Sequence, residues 1–370
     1  MDYAATTPVD EKVKEAMLPF FSRSFGNPSS LHSFGRETRK AIEDSREKTA
    51  DFLNASAEEI IFTGSATEAN NMAIRGVVAN YKKPHIITSQ IEHPAVLRTC
   101  QALEKEGIEV TYLKPDQEGI ISLRSLKEEI KENTALVTIM TVNNEVGTIQ
   151  PIKEIAELLK EKDIIFHTDA VQAANHLDLN VKELGIDLLT LSGHKFYGPK
   201  GIGILFKRNS LSLKPLTFGG HQERGLRPGT ENVPAIVGLG KALEILEKGK
   251  EKELRDKLLK KLLEIERVKL NGSLKKRVPN NINVYIPGIE GEALLVMLDE
   301  QGLAVSTGSA CSSGDLKASH VLKAMGFGDE RAHSSIRITL GKYTTEEEIE
   351  RAGEIIKETV EKLRKTSGYK

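Results

Sequence analysis

Short apolar runs recur along the first two-thirds of the chain, separated by segments whose apolar positions fall three and four residues apart. The runs 59–64 (EIIFTG), 85–89 (HIITS), 109–113 (EVTYL), 135–140 (ALVTIM), 164–170 (IIFHTDA), 188–192 (LLTLS) and 201–206 (GIGILF) predict strands. Most are apolar without alternation, which suits a parallel sheet covered on both faces better than a half-wet one. Between them, 94–106, 122–132 and 151–161 predict helices, and this alternation implies a doubly wound α/β domain. Ligands in such sheets gather beyond the carboxyl ends of the strands. After about residue 235 the texture changes. The stretch 241–266 (KALEILEKGKEKELRDKLLKKLLEIE) predicts one long, charge-laced helical run leaving the large domain. Beyond it, 280–286, 303–310 and 334–340 predict strands of a smaller α+β domain.

Length and composition narrow the class of protein. A chain of 370 residues can build one large core and a second, smaller one. Its net charge of −1 gives no support for nucleic-acid binding or attachment to a membrane surface. No apolar run approaches the length of a membrane span, and no signal-peptide pattern opens the sequence. The two cysteines, Cys100 and Cys311, form neither a CxxC pair nor a disulfide framework, so a reducing cytosol is expected.

Candidate chemistry centres on DLLTLSGHKFYGPKGIGILF (187–206), where Lys195 follows a strand among permissive glycines. A phosphate-loop lysine needs a helix after the glycines, and GPKGIG runs into a strand instead. A solvated surface lysine and a Schiff-base lysine remain. FHTDAVQ (166–172) ends the preceding strand with Asp169, so neighbouring strands would deliver Asp169 and Lys195 to one crevice. Pyridoxal phosphate needs a carboxylate facing its ring nitrogen and a lysine facing its aldehyde carbon. Taken alone, an aspartate at a strand end more often caps a turn or helix.

FTGSATEANN (62–71) reads as strand, turn and helix, with amides near Ala66 and Thr67 suited to an anion; a plain capping box between Ser65 and Glu68 is the simpler local reading. Ser192 and His194 could add donors. His93, in QIEHPAVL (90–97), sits where a helix opened by Pro94 begins, and serves either as a structural residue or as a stacking, proton-moving ring. Asn144, in TVNNEVGTIQP, is a candidate polar contact at a similar location. Cys311 lies in STGSACSSGDL, a small-residue run that core packing explains poorly, whereas Cys100 in AVLRTCQAL fits a helix core. A reactive cysteine would therefore be Cys311.

Together these motifs resemble the cysteine desulfurases of the NifS/IscS type, in the aminotransferase class V group of fold type I pyridoxal-phosphate enzymes. The resemblance runs from DYAATTPVD (2–10) and FGNPSSLHSFG (25–35) through GSATEANN, EHPAV, NNEVGTIQP, HTDAVQ and SGHKFYGPKGIG. It continues through GGHQERGLRPGTENVPAIVG (219–238), STGSACSS and SSIRITLGKYTTEEEI (334–349). It implies a seven-stranded, mostly parallel sheet in a large domain, residues 13–248, and a small α+β domain, residues 1–12 with 249–370, carrying the cysteine loop.

The resemblance further implies that pyridoxal 5′-phosphate is the cofactor, joined to Lys195, with Asp169 on its ring nitrogen and His93 stacked on the ring as an acid–base group. Gln172 would touch the phenolic oxygen, and Ala66, Thr67, Ser192 and His194 would hold the phosphate. Thr230 would reach the phosphate of the other subunit of a homodimer. Asn144 and Arg337 would bind the carboxylate of L-cysteine, and Cys311 would carry the sulfur as a persulfide. The implied acceptor is an iron–sulfur scaffold protein or a tRNA-thiolation partner. No resident metal is implied, although Cys311 would ligate an iron–sulfur cluster when a scaffold is present. Both ends are shorter than in many members, which bears on the first strand and on acceptor recognition. Same-fold aminotransferases and selenocysteine lyases are the nearest alternatives, and a sulfur-relay scaffold without turnover is a more distant one.

Overall fold

The computed structural model describes residues 1–247, 249–308 and 318–367. Seven strands form the main sheet: β1 (Ile60–Thr63), β2 (His85–Ser89), β3 (Glu109–Leu113), β4 (Thr134–Thr138), β5 (Ile165–Asp169), β6 (Leu188–Ser192) and β7 (Gly203–Lys207), in the order β1-β7-β6-β5-β4-β2-β3. All seven anticipated runs are therefore strands. The pairs from β3 to β6 are parallel, but β7 runs antiparallel to both β6 and β1. The cause is the connection. Only residues 193–202 separate β6 from β7, and a parallel crossover needs a dozen or more residues, usually including a helix.

Side chains alternate between the two faces along each strand. Ile61, Ile86, Leu136, Leu188 and Leu205 pack with the helices Ala66–Val78 and Pro94–Lys105. Their neighbours Phe62, Ile87, Val137, Leu189 and Ile204 join the opposite layer with the helices Ser33–Leu53, Ile152–Lys160 and Val233–Glu244. Each such side chain, fully buried, contributes roughly 1.5–3 kcal/mol, which is why both faces of these strands read as continuously apolar.

A second antiparallel sheet joins β10 (Ser335–Thr339), β9 (Asn281–Tyr285) and β8 (Lys269–Leu270). It has its own core of Leu258, Ile282, Val284, Leu294, Ile336 and Ile356. Two expectations for this half need correction. The run 241–266 is two helices, Val233–Glu244 and Glu251–Leu263, broken where Gly249, a poor helix former, sits among charges without apolar periodicity. Of the expected strand 303–310, the described part contributes one bridge, Ser306 to Arg337. Gly308 takes φ +88°, which ends any extended ladder there.

Residues 1–7 connect the two halves. Thr339 N donates to Met1 O (2.9 Å) and Ala4 N to Thr339 Oγ1 (2.9 Å), while Thr7 N donates to His194 O (2.9 Å). The chain start thus lies between β10 and the turn after β6.

Candidate active site

β5 and β6 are parallel neighbours with Asp169 in register with Thr190, so the chain leaves both strands at one edge of the sheet. Lys195 follows β6 within the single 3-10 turn Gly193–Lys195. A cavity of about 180 Å³ lies there. Its walls include ten anticipated residues: Ala66, Thr67, His93, Asn144, Asp169, Gln172, Ser192, His194, Lys195 and Arg337.

Asp169 is buried, accepting from Asn70 Nδ2 on Oδ2 (2.7 Å) and from Val171 N on Oδ1 (3.1 Å). It has no ion-pair partner among the described residues, so a desolvated carboxylate faces the cavity. Its strand is pinned by the His167 ring, hydrogen-bonded to Thr138 Oγ1 (2.8 Å) and Thr190 Oγ1 (3.1 Å). Burial pushes that imidazole down to about 3, so it stays neutral and ties β4, β5 and β6 together.

Lys195 Nζ donates to the carbonyls of Ala4 (2.6 Å) and Ala5 (2.7 Å), and Gln172 Nε2 donates to Ala4 O (3.0 Å). His194 Nδ1 shares a hydrogen bond with Thr6 Oγ1 (3.1 Å). Burial, reinforced by the charges of Lys195 and Lys200, pushes His194 down to about 4. Its ring is therefore a neutral donor–acceptor at neutral pH.

At the other end, Ser65 Oγ caps the helix Ala66–Val78 by accepting from Glu68 N (3.1 Å). The reciprocal half of a capping box is missing. The Glu68 carboxylate accepts instead from Gly64 N and from Arg227 Nε (3.0 Å). The Ala66 and Thr67 amides, in the first turn, have no intrahelical acceptor, and both residues line the cavity. Gly203 makes this approach possible, because a Cβ there would lie 2.5 Å from the Ser65 carbonyl carbon.

His93 is the N-cap of the helix Pro94–Lys105, its Nδ1 accepting from Ala95 N (3.1 Å), so the mobile proton of the neutral ring sits on Nε2. Glu92, just before it, is fully buried; Ser89 Oγ (2.5 Å) and Met140 N (3.0 Å) donate to Oε1. Burial dominates and pushes its carboxyl up to about 8, with the negative charge of Asp169 adding to the effect.

Arg337, on β10, is buried. Its Nη1 donates to Asn144 O (2.8 Å) and its Nη2 to Asp2 Oδ1 (2.8 Å).

Thr230 lies apart from this cavity, in a second cleft with Gly64, Arg227 and Glu231. Cys311 lies outside the described residues. Cys100 is buried against the helix layer, and burial pushes its thiol up to about 12, so it is inert at neutral pH. Sequence reasoning missed Ala4, Ala5, Asn70, Met140 and Val142 as walls of the cavity. Asn70 had a legible signal, since it follows Thr67 by three residues and so shares its helix face. The carbonyls of Ala4 and Ala5 had none.

The family described as Aminotransferase class-V matches residues 1–352. A cysteine desulfurase IscS of Dictyoglomus turgidum is 52% identical over 379 aligned positions, spanning 100% of this chain and 96% of that protein. A namesake from Methanosarcina thermophila is 51% identical over 375 positions, spanning 99% and 93%. Among solved structures, a NifS-like protein superposes with a TM-score of 0.92 at 39% identity, covering 97% of this chain and 98% of the other. SspA in complex with cysteine gives 0.85 at 42%, covering 93% and 99%. Matched in sequence over nearly its full length and in the topology of its sheet, this chain belongs to the aminotransferase class-V family, where its relatives include cysteine desulfurases of the IscS and NifS type.

Proposed function

We propose that this protein is a cysteine desulfurase that removes sulfur from L-cysteine, releasing L-alanine and leaving a persulfide on Cys311. The supporting observation is the single cavity holding Lys195, Asp169, His93 and Arg337. The family works with pyridoxal 5′-phosphate, and the donor set fits it. A buried carboxylate without a cation suits a protonated ring nitrogen, and open helix amides suit a phosphate. When bound, the cofactor supplies an electron sink for charge developing at the substrate Cα.

The protein's own groups carry the rest. With the cofactor bound, the amides of Ala66 and Thr67 with Ser192 and His194 would hold its phosphate, Gln172 would meet its phenolic oxygen, and Lys195 would be its covalent attachment point. Lys195 Nζ would also be the base for the substrate Cα proton, and His93 Nε2 a second proton-moving group. Asn144 and Arg337 orient the substrate carboxylate, for which a guanidinium fork is matched. Sulfur transfer balances without an external oxidant: the substrate C–S bond breaks, an S–S bond forms at Cys311, and the substrate carbon takes a proton.

The large unit, 13–248, and the small unit, 1–12 with 249–370, carry the two halves of the site, a division supported by their separate sheets and cores. The working form is a homodimer in which Thr230 completes the partner's phosphate site. Supporting this are its separation from the cavity and the exposed Leu18, Phe21, Phe25, Leu31, Phe34 and Phe218. The acceptor is an iron–sulfur scaffold or a tRNA-thiolation protein, in the cytoplasm. No helix among the described residues is long and apolar enough to cross a membrane. The test is turnover of L-cysteine with a reductant, which should give alanine and sulfide in equal amounts. Cys311→Ser should keep the colour of the bound cofactor and lose sulfide release; undiminished sulfide from that variant rejects the nucleophile.

A further inference from the structure

Asp2 has no role in the account so far, yet it is the carboxylate paired with Arg337. The Arg337 side chain is 2% exposed and that of Asp2 is 23% exposed. Asp2 Oδ1 accepts from Arg337 Nη2 (2.8 Å) while Asn144 O takes Nη1 (2.8 Å), and Arg337 Nε is buried with no partner. Asp2 Oδ2 accepts from Ser306 Oγ (2.8 Å), and Ser306 bridges Arg337 through the backbone. The backbone of Asp2 is itself bridged to Thr339, next but one to Arg337 on β10. Two fixed acceptors thus hold Nη1 and Nη2, the buried Nε keeps one N–H without a partner, and Arg337 itself lines the cavity.

We infer that Asp2 is a positioning residue for substrate capture: it balances the buried charge of Arg337 and fixes the guanidinium at the cavity wall, where it meets the incoming amino-acid carboxylate. This rests on the reading of Arg337 as the carboxylate-binding group. A guanidinium held on one side only would swing among rotamers and would be costly to keep desolvated without its counter-charge. The consequence falls on ligands that carry a carboxylate and spares those that do not.

The test compares the holoenzyme and its Asp2→Ala, Asp2→Asn and Asp2→Glu variants, alone and with Arg337→Ala. L-cysteine kinetics are read together with inhibition by L-alanine and by cysteamine, which has the amine and thiol but no carboxylate. Asp2→Ala should raise KM for L-cysteine about tenfold, with kcat changed by less than about twofold. It should weaken L-alanine inhibition by the same factor and leave cysteamine inhibition unchanged. Asp2→Asn keeps the acceptor for Arg337 Nη2, while its amide nitrogen can only donate to Ser306 Oγ and the charge is lost, so KM should rise by an intermediate factor of about threefold. Asp2→Glu, which keeps the charge but shifts it by a methylene, should raise KM even if Asp2→Ala fails to fold. On an Arg337→Ala background, Asp2→Ala should add nothing. A second readout is thermal unfolding of the cofactor-free chain, which Asp2→Ala should destabilise and Asp2→Ala with Arg337→Met should largely restore. The inference is overturned if Arg337→Ala raises KM while Asp2→Ala and Asp2→Glu do not, or if the Asp2→Ala effect persists undiminished without Arg337. If Arg337→Ala leaves KM unchanged, the reading of Arg337 falls and takes this inference with it.

Discussion

Glu92 offers the sharpest physical test of the interior beneath the cavity. Its carboxyl is fully buried, ionises near 8 in the folded chain against 4.5 when free, and stands close enough to Asp169 for the two charges to repel. Between those two values the folded state holds one proton more than the unfolded state, so this group's contribution to stability falls as pH rises. Each pH unit in that window is worth about 1.36 kcal/mol, so roughly 3 kcal/mol is lost between pH 4.5 and pH 7. Glu92→Gln keeps an acceptor for Ser89 Oγ and Met140 N and cannot ionise. Urea unfolding at fixed protein concentration, from pH 5 to pH 7.5, should show the wild type losing about 1.4 kcal/mol per pH unit relative to the variant. Parallel stability profiles for the two proteins would refute the claim that Glu92 is held neutral. A neutral acid here also spares Asp169 a second negative neighbour, which matters if Asp169 must face a cationic ring.

Two further predictions concern stability and chemistry away from the cavity. The buried Glu223 carboxylate accepts from Arg46 Nη1 and Nη2 (both 2.8 Å) and from Phe62 N (2.9 Å), tying the loop that leads to Thr230 onto β1. Glu223→Ala leaves the buried Arg46 cation with only the partly exposed Glu43 carboxylate (3.1 Å) and the Ile60 carbonyl (2.9 Å), and should cost about 3 kcal/mol in denaturant unfolding; a loss under about 1 kcal/mol would contradict it. Cys100→Ala should leave sulfide release unchanged because its buried thiol ionises only near 12. Abolished activity in a folded Cys100→Ala protein would show that this thiol takes part in the chemistry.

What was legible in the sequence follows from how each feature is encoded. Four of the seven strands, β1, β2, β4 and β6, announce themselves because both of their faces are buried, leaving runs with few charged positions. Asp169 and Lys195 are legible because each stands at the carboxyl end of such a run. The direction of β7 depends on the length of the turn after Lys195, which apolar pattern alone does not report. The break inside 241–266 is hidden because Lys and Glu favour helix on either side of Gly249. The N-terminal wall is the largest omission. Ala4 and Ala5 act through backbone carbonyls, and Asp2 through an arginine 335 positions away, so neither leaves a local pattern.

The central claim is that Lys195 is the residue that holds the cofactor opposite Asp169. Reduction of the coloured holoenzyme with borohydride, followed by peptide mapping, tests it most directly. The account predicts one pyridoxyl-modified lysine, Lys195, and a Lys195→Ala protein that lacks the aldimine band and is unmodified. Modification at another lysine, or an aldimine band and pyridoxyl modification persisting in Lys195→Ala, would contradict it.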